Sequence, residues 1–184
     1  METEIEARSF YEVLAPRCAV LISTADKDGR PNAAPFSFVM PVSMDPPLVV
    51  FASVPTRDTL ANIRESGEFV LNIVPEDILA KMIVCSKAFP RGVNEIQEAG
   101  LKERASRKVR APGVQECVAW LECSLEFEKE AGDHVLVVGR VLYVACKDEF
   151  LSRGRFDVAK ARPVMHIRGR RFVIAEREVE APQV

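Results

Sequence analysis

The sequence predicts a mainly β chain with a few short helices, closed into an antiparallel barrel or a two-layer β fold. Three observations carry that expectation. From Cys117 to Phe127 the odd positions are apolar, and Glu122, Ser124 and Glu126 stand between them. That period of two belongs to a strand with one buried and one wet face. Val135 to Cys146 is apolar on both faces except at Arg140, so a helix or another subunit must cover its outer side. Shorter β-type runs alternate with turn signals elsewhere, and six or more antiparallel strands favour closure because a closed sheet has no exposed edge.

The elements follow in order. Ile5 to Leu14 has the spacing of a short amphipathic helix ending before Pro16. Arg17 to Ala25 is an apolar strand, turned at Asp26-Lys27-Asp28-Gly29 into a returning strand from Pro31 to Val39. Met44-Asp45-Pro46-Pro47 turns the chain into Leu48 to Ala52, a buried strand. Thr56 or Asp58 caps a helix that runs to Ser66, with Gly67 placed to stop it. Glu68 to Val74 is a strand and Glu76 to Cys85 a helix after Pro75. Ser86 to Ala99 is an irregular loop around Pro90-Arg91-Gly92, with one helical turn near its end. Gly132-Asp133 joins the two long strands, and Val164 to Ile167 with Phe172 to Ala175 forms a last hairpin about Gly169.

A length of 184 residues fits a single domain spanning 1–184, and 48% hydrophobic with 28% charged residues is ordinary globular composition. The net charge of -2 speaks against a nucleic-acid partner, and the basic run Lys102 to Arg110, broken by Glu103, has the character of a solvated segment. No apolar stretch approaches the roughly 20 residues of a membrane span. The start, Met-Glu-Thr-Glu-Ile-Glu, is acidic where a secretory leader would be basic, so the expected setting is cytoplasmic, away from membranes. Five cysteines without close pairs are expected to be reduced and buried, with Cys117 and Cys123 on one strand face. Only His134 and His166 could join them, so no metal site is expected.

The chemistry concentrates in two stretches. Pro31-Asn32-Ala33-Ala34-Pro35-Phe36-Ser37 is a strand of small residues that lets a flat ring approach. Ser53-Val54-Pro55-Thr56-Arg57-Asp58-Thr59 is a strand end, a polar loop and a helix start. Free N–H groups and the positive dipole end there suit a phosphate. Arg57 would oppose that dipole unless an anion is bound; Thr59 serves equally as a cap and as a phosphate ligand. Together they suggest a phosphorylated aromatic cofactor. No Ser-His-Asp set and no carboxylate pair is evident. His166 and Trp120 lie in apolar runs suited to packing, and nothing marks Cys85 as a nucleophile.

From about Arg17 to Tyr143 the chain resembles the flavin reductase-like proteins, flavoredoxins among them, with the FMN-binding split-barrel fold. The carriers are Asp28-Gly29-Arg30-Pro31-Asn32-Ala33-Ala34-Pro35-Phe36-Ser37, Pro41-Val42-Ser43 with Asp45-Pro46-Pro47, and Arg57-Asp58-Thr59-Leu60 with Asn62-Ile63. Gly67-Glu68-Phe69-Val70 with Asn72, and Gly132-Asp133-His134 with Gly139-Arg140-Val141, complete the set. The resemblance implies an antiparallel split β-barrel, dimeric, with the flavin near the subunit boundary. It implies that Ala34, Pro35, Phe36 and Ser37, then Val39, Met40, Pro41, Val42 and Ser43, lie along the isoalloxazine ring. Ser53, Arg57 and Thr59 would hold the phosphate, supported by Asp58 and Asn62, while Ser86, Lys87 and Phe89 close over the flavin. His134 would position a nicotinamide. Two positions depart from the family pattern: Met40 stands where an Asn is frequent, and Phe172 where a Tyr is common.

The implied activity is hydride transfer from NAD(P)H to FMN and on to an acceptor. The alternative is a flavoredoxin-like FMN electron carrier fed by a protein donor. A third reading is a reductase that binds flavin as a diffusible substrate and hands it to a monooxygenase component.

Overall fold

The structure is a computed structural model and describes residues 2–182. A 3-10 turn, Ala7–Ser9, leads into α1 (Phe10–Val13), β1 (Arg17–Cys18), β2 (Val20–Ala25), β3 (Pro31–Phe36), β4 (Val39–Met44) and β5 (Pro47–Ser53). Then come α2 (Asp58–Ser66), β6 (Glu68–Ile73), α3 (Leu79–Val84), α4 (Glu95–Glu98), β7 (Glu103–Arg104), β8 (Gly113–Val114), β9 (Ala119–Ala131) and β10 (His134–Cys146). The chain ends in β11 (Leu151–Ser152), β12 (Arg155–Phe156), α5 (Val158–Ala161) and the hairpin β13 (Val164–Arg168) and β14 (Arg171–Ile174).

Seven strands form one antiparallel sheet in the order β3-β2-β6-β9-β10-β5-β4. Its two edge strands, β3 and β4, are separated in sequence by Ser37 and Phe38 alone. Two residues span so little distance that the sheet must curl until its edges meet. Within the link, Phe38 continues the β4–β5 ladder, its carbonyl accepting the Ala52 N–H at 2.9 Å. This is the split barrel that the resemblance implies.

Alternation along the strands divides the core in two. Val20, Ile22, Phe51, Phe69, Leu71, Cys123, Val135 and Val137 fill the barrel, closed by Leu60 and Ile63 of α2. Phe51 meets Phe36 and Phe69 edge-on, with ring centroids 5.0 and 5.4 Å apart. Leu21, Val70 and Trp120 point outward instead, under Met82 of α3, Ile96 of α4 and Val114. Trp120 packs as expected, its Nε1 donating to the Val114 carbonyl at 2.8 Å.

Several expectations need correction. Only Phe10–Val13 of the first helix is α-helical. Arg17 to Ala25 is two strands: β1 pairs with β13, and β2 joins the barrel. The returning strand stops at Phe36, because the chain must leave one sheet edge for the other. Glu76–Ile78 is a 3-10 turn, and α3 starts only at Leu79. Neither Thr56 nor Asp58 caps α2; Arg57 holds the cap position. Gly67 does end it, in the left-handed region at φ 71°.

β9 has no simple wet face. Glu122 is fully buried, its carboxylate accepting the Arg107 and Lys108 backbone N–H groups, while Phe127 is 52% exposed beyond the barrel. Cys117 and Cys123 fall in different cores rather than on one face. On β10, Leu136, Leu142 and Val144 stay exposed, while Val138 is buried; a register shift at Val141–Tyr143 puts Val144 opposite Leu121.

Candidate functional site

Three hollows meet at the Ser37–Phe38 link. The first, about 500 Å³, has a floor of Ala19, Pro35, Phe36 and Ser37. One wall comes from α3 and the turn after it (Met82, Ile83, Ser86, Lys87), the other from the last hairpin (His166, Gly169, Arg170, Phe172). The second, about 260 Å³, shares Pro35, Phe36, Ser37 and His166 and runs past Phe38, Ala52 and Val54 to Arg57, with His134 and Arg17 at its sides. The third, about 490 Å³, shares Ser37, Phe38 and Ala52 and opens over Val39, Met40 and Leu136. Such a continuous, mostly apolar hollow with few polar groups is the usual form of a cofactor site.

At its far end α2 opens without a side-chain cap, and the Asp58 and Thr59 amides make no bond among the described residues. Arg57 is exposed and has no ion-pair partner among them. The predicted phosphate residues therefore separate. Arg57 faces the hollow. Thr59 is 1% exposed, and its Oγ1 donates to Asn32 Oδ1 at 3.2 Å. Asn62 is buried with Nδ2 donating to Thr24 Oγ1 at 3.0 Å, and the buried Ser53 donates to the Val54 carbonyl at 3.1 Å. Asp58 is half-buried beside them.

Of the predicted ring residues, Pro35, Phe36, Ser37, Val39 and Met40 line the hollows. Ala34, Pro41, Val42 and Ser43 line none of the three; Pro41 and Val42 are exposed, Ala34 and Ser43 half-buried. Ser86 and Lys87 reach the first hollow, whereas Phe89 is half-buried outside it. His134 lies in the second. Its Nδ1 is 2.7 Å from Asp133 Oδ1, and its ring stacks at a tilt on Phe38, centroids 5.7 Å apart. The bond from His134 holds the Asp133 carboxyl below its ordinary range.

His166 is more than packing. Its Nδ1 lies 3.0 Å from Ser37 Oγ and its Nε2 3.2 Å from the Gly169 carbonyl. A carbonyl only accepts, so in the neutral ring Nε2 donates and Nδ1 accepts the Ser37 hydroxyl. That bond ties the last hairpin to the link between β3 and β4. Arg17 is a second site residue that sequence reasoning misses. It lies over the Tyr11 and Phe38 rings at 5.9 and 5.5 Å and donates to the Tyr11, Leu14 and Ile167 carbonyls. The sequence signal for the hairpin is a Gly169 turn among arginines between apolar runs, which says nothing of where the hairpin docks. Cys85 is disqualified as a nucleophile: burial, then Glu95, push its thiol up to about 12.

Residues 15–175 match the family model for the flavin reductase like domain. The chain belongs to the flavin reductase-like family. An uncharacterized protein of Methanothermobacter thermautotrophicus is 41% identical over 162 residues, 85% of this chain and 76% of that protein. Nitrilotriacetate monooxygenase component B from Bacillus cereus is 25% identical, with a TM-score of 0.87 over 98% of each chain. Flavoredoxin of Desulfovibrio vulgaris (Miyazaki F) shares the fold at a TM-score of 0.89, 22% identical over 98% of this chain and 97% of that one. For this flavin reductase-like chain the coarse function is flavin-linked redox chemistry on a split-barrel fold. No helix among the described residues is long and apolar enough to cross a membrane.

Proposed function

We propose that this chain, acting as one flavin-binding domain, binds FMN and passes reducing equivalents from NAD(P)H to an acceptor. The observation that carries the reading is the hollow joining the uncapped start of α2 to the gap between β3 and β4. Its residues fit the cofactor. A helix start with unused N–H groups and the unpaired Arg57 suits a phosphate dianion. The Pro35–Phe36 floor suits a flat ring, and the broken backbone at Ser37–Phe38 leaves polar main-chain groups at its edge. When bound, FMN supplies two-electron redox chemistry between a nicotinamide and an acceptor.

The protein's own work is then positional. Pro35 and Phe36 exclude water beneath the ring. Ser37 is held by His166, and Arg57 grips the phosphate. His134, oriented by Asp133 and Phe38, positions the nicotinamide. Met40, with no side-chain amide, offers only its backbone. Anaerobic mixing with NADH and with NADPH tests this: rapid bleaching of the flavin absorbance supports it, and no bleaching overturns it. No bleaching together with reduction by a protein donor favours the second reading, an electron carrier like the flavoredoxin it resembles. The likeness to a monooxygenase component B supports an oxygenase partner as acceptor.

Exposed apolar side chains on the outer face, Met40 of β4, Leu136 of β10 and Phe127 of β9, support a homodimer. Met40, Val50, Val138 and Phe127 stand in one row across β4, β5, β10 and β9, so a second copy would cover strands that border the site. Five unpaired cysteines support a reducing, cytoplasmic setting.

A further inference from the structure

Glu95 is a carboxylate buried outside the hollows, 7% exposed, on the four-residue helix α4. None of the described cations pairs with it; hydrogen bonds satisfy it instead. Its Oε1 accepts Asn32 Nδ2 at 2.9 Å, and its Oε2 accepts the Ala33 backbone N–H at 3.1 Å. Ala33 lies on the edge strand β3, whose next outward positions on either side, Pro31 and Pro35, have no N–H. Glu95 therefore takes the one outward amide of that stretch.

The bond to Asn32 does more, because it decides which way the amide faces. With Nδ2 committed to Glu95, Oδ1 must turn toward α2, where it accepts Thr59 Oγ1 at 3.2 Å and Thr24 Oγ1 at 3.4 Å. Thr59 stands in the first turn of α2. A fully bonded chain of buried groups thus runs from α4 through β3 to the turn proposed to receive the phosphate.

We propose that Glu95 is a positioning residue for phosphate recognition, fixing the Asn32 amide and through it the Thr59 turn. The proposal rests on the FMN reading above and adds the group that shapes its anion-binding end. Glu95→Gln keeps the size but brings an NH₂ group that can donate to Asn32 Oδ1, flipping the amide, so that Nδ2 faces Thr59 and its hydroxyl must turn from donor to acceptor.

The test compares dissociation constants for FMN and riboflavin, which differ by the phosphate alone, by equilibrium titration. Glu95→Gln should weaken FMN roughly tenfold, the scale of one charge-assisted hydrogen bond, and leave riboflavin within about twofold. Thr59→Val, which breaks the link at its other end, should reproduce that pattern, and adding Glu95→Gln to it should cost little more. Equal losses for both flavins, or no loss for either, overturn the proposal. So does additivity of the two substitutions, and Thr59→Val alone decides if Glu95→Gln fails to fold, a riboflavin-like loss being negative. A wild-type protein that binds both flavins equally overturns the phosphate pocket and this inference together; a wild-type preference for FMN that survives in Glu95→Gln overturns only the inference.

Discussion

Arg57 and Thr59 sit two residues apart and do different work. The sequence shows both as polar residues at a helix start, and nothing local tells which faces out. Asn32, 27 positions before Thr59, takes the hydroxyl inward, a contact that exists only once β3 and α2 are packed. His134 shows the opposite case, its bond to the adjacent Asp133 being local and independent of distant packing. His134→Ala should slow flavin reduction by NAD(P)H in stopped-flow measurements and change FMN affinity little. A larger change in affinity than in rate would place His134 against the cofactor instead.

Among elements, the sequence reveals strand identity better than strand limits. Turn chemistry at Gly29, Gly67 and Gly132 marks boundaries that the structure keeps, each at positive φ. The break at Ser37–Phe38 is invisible in the sequence because Phe36, Phe38 and Val39 keep a β-type pattern around it; barrel closure, a long-range demand, decides it. Glu122 is misread for the same reason, since its face is covered by a segment 14 or 15 residues earlier. Close packing at β10 yields a direct prediction. A Cβ on Gly139 would fall on the buried Phe69 ring, 2.6 Å from its Cε1. Gly139→Ala should lower stability by about 1–3 kcal/mol in denaturant unfolding.

Glu95 belongs to the same scale, because it joins α4 to β3. Burial, foremost, raises its pKa above the ordinary carboxylate value, and Asp58 adds to the rise. A raised acid pKa means that the unfolded chain releases this proton first. The contribution to stability is therefore full below the unfolded value and is lost as pH rises through the folded one. Relative to wild type, Glu95→Gln should remove that decline across the interval just above the usual carboxylate range. Parallel pH-stability curves for the two proteins would contradict the assignment.

At the scale of the molecule, an apolar face that the sequence already requires to be covered remains open in the chain by itself. Light scattering should therefore report twice the 20.5 kDa chain mass. Phe127→Glu with Met40→Glu should shift it toward the monomer, because both side chains are more than half exposed in the row that runs through Val50 and Val138. The barrel, its helices and the flavin-linked chemistry follow from the sequence pattern and family membership. The last hairpin follows as well, but not its place as a wall of the site with His166 and Phe172, since β13 pairs with β1 at His166 and Arg17, 149 positions apart.

The most direct test is titration of flavin-free protein with FMN, monitored by quenching of flavin fluorescence, for wild type and for Arg57→Ala. The expected result is saturable binding of one FMN per chain, weakened by about 1.5–3 kcal/mol in the variant while riboflavin binding is unchanged. Absence of saturable binding, or an FMN affinity indifferent to Arg57, would contradict a phosphate seated at the start of α2.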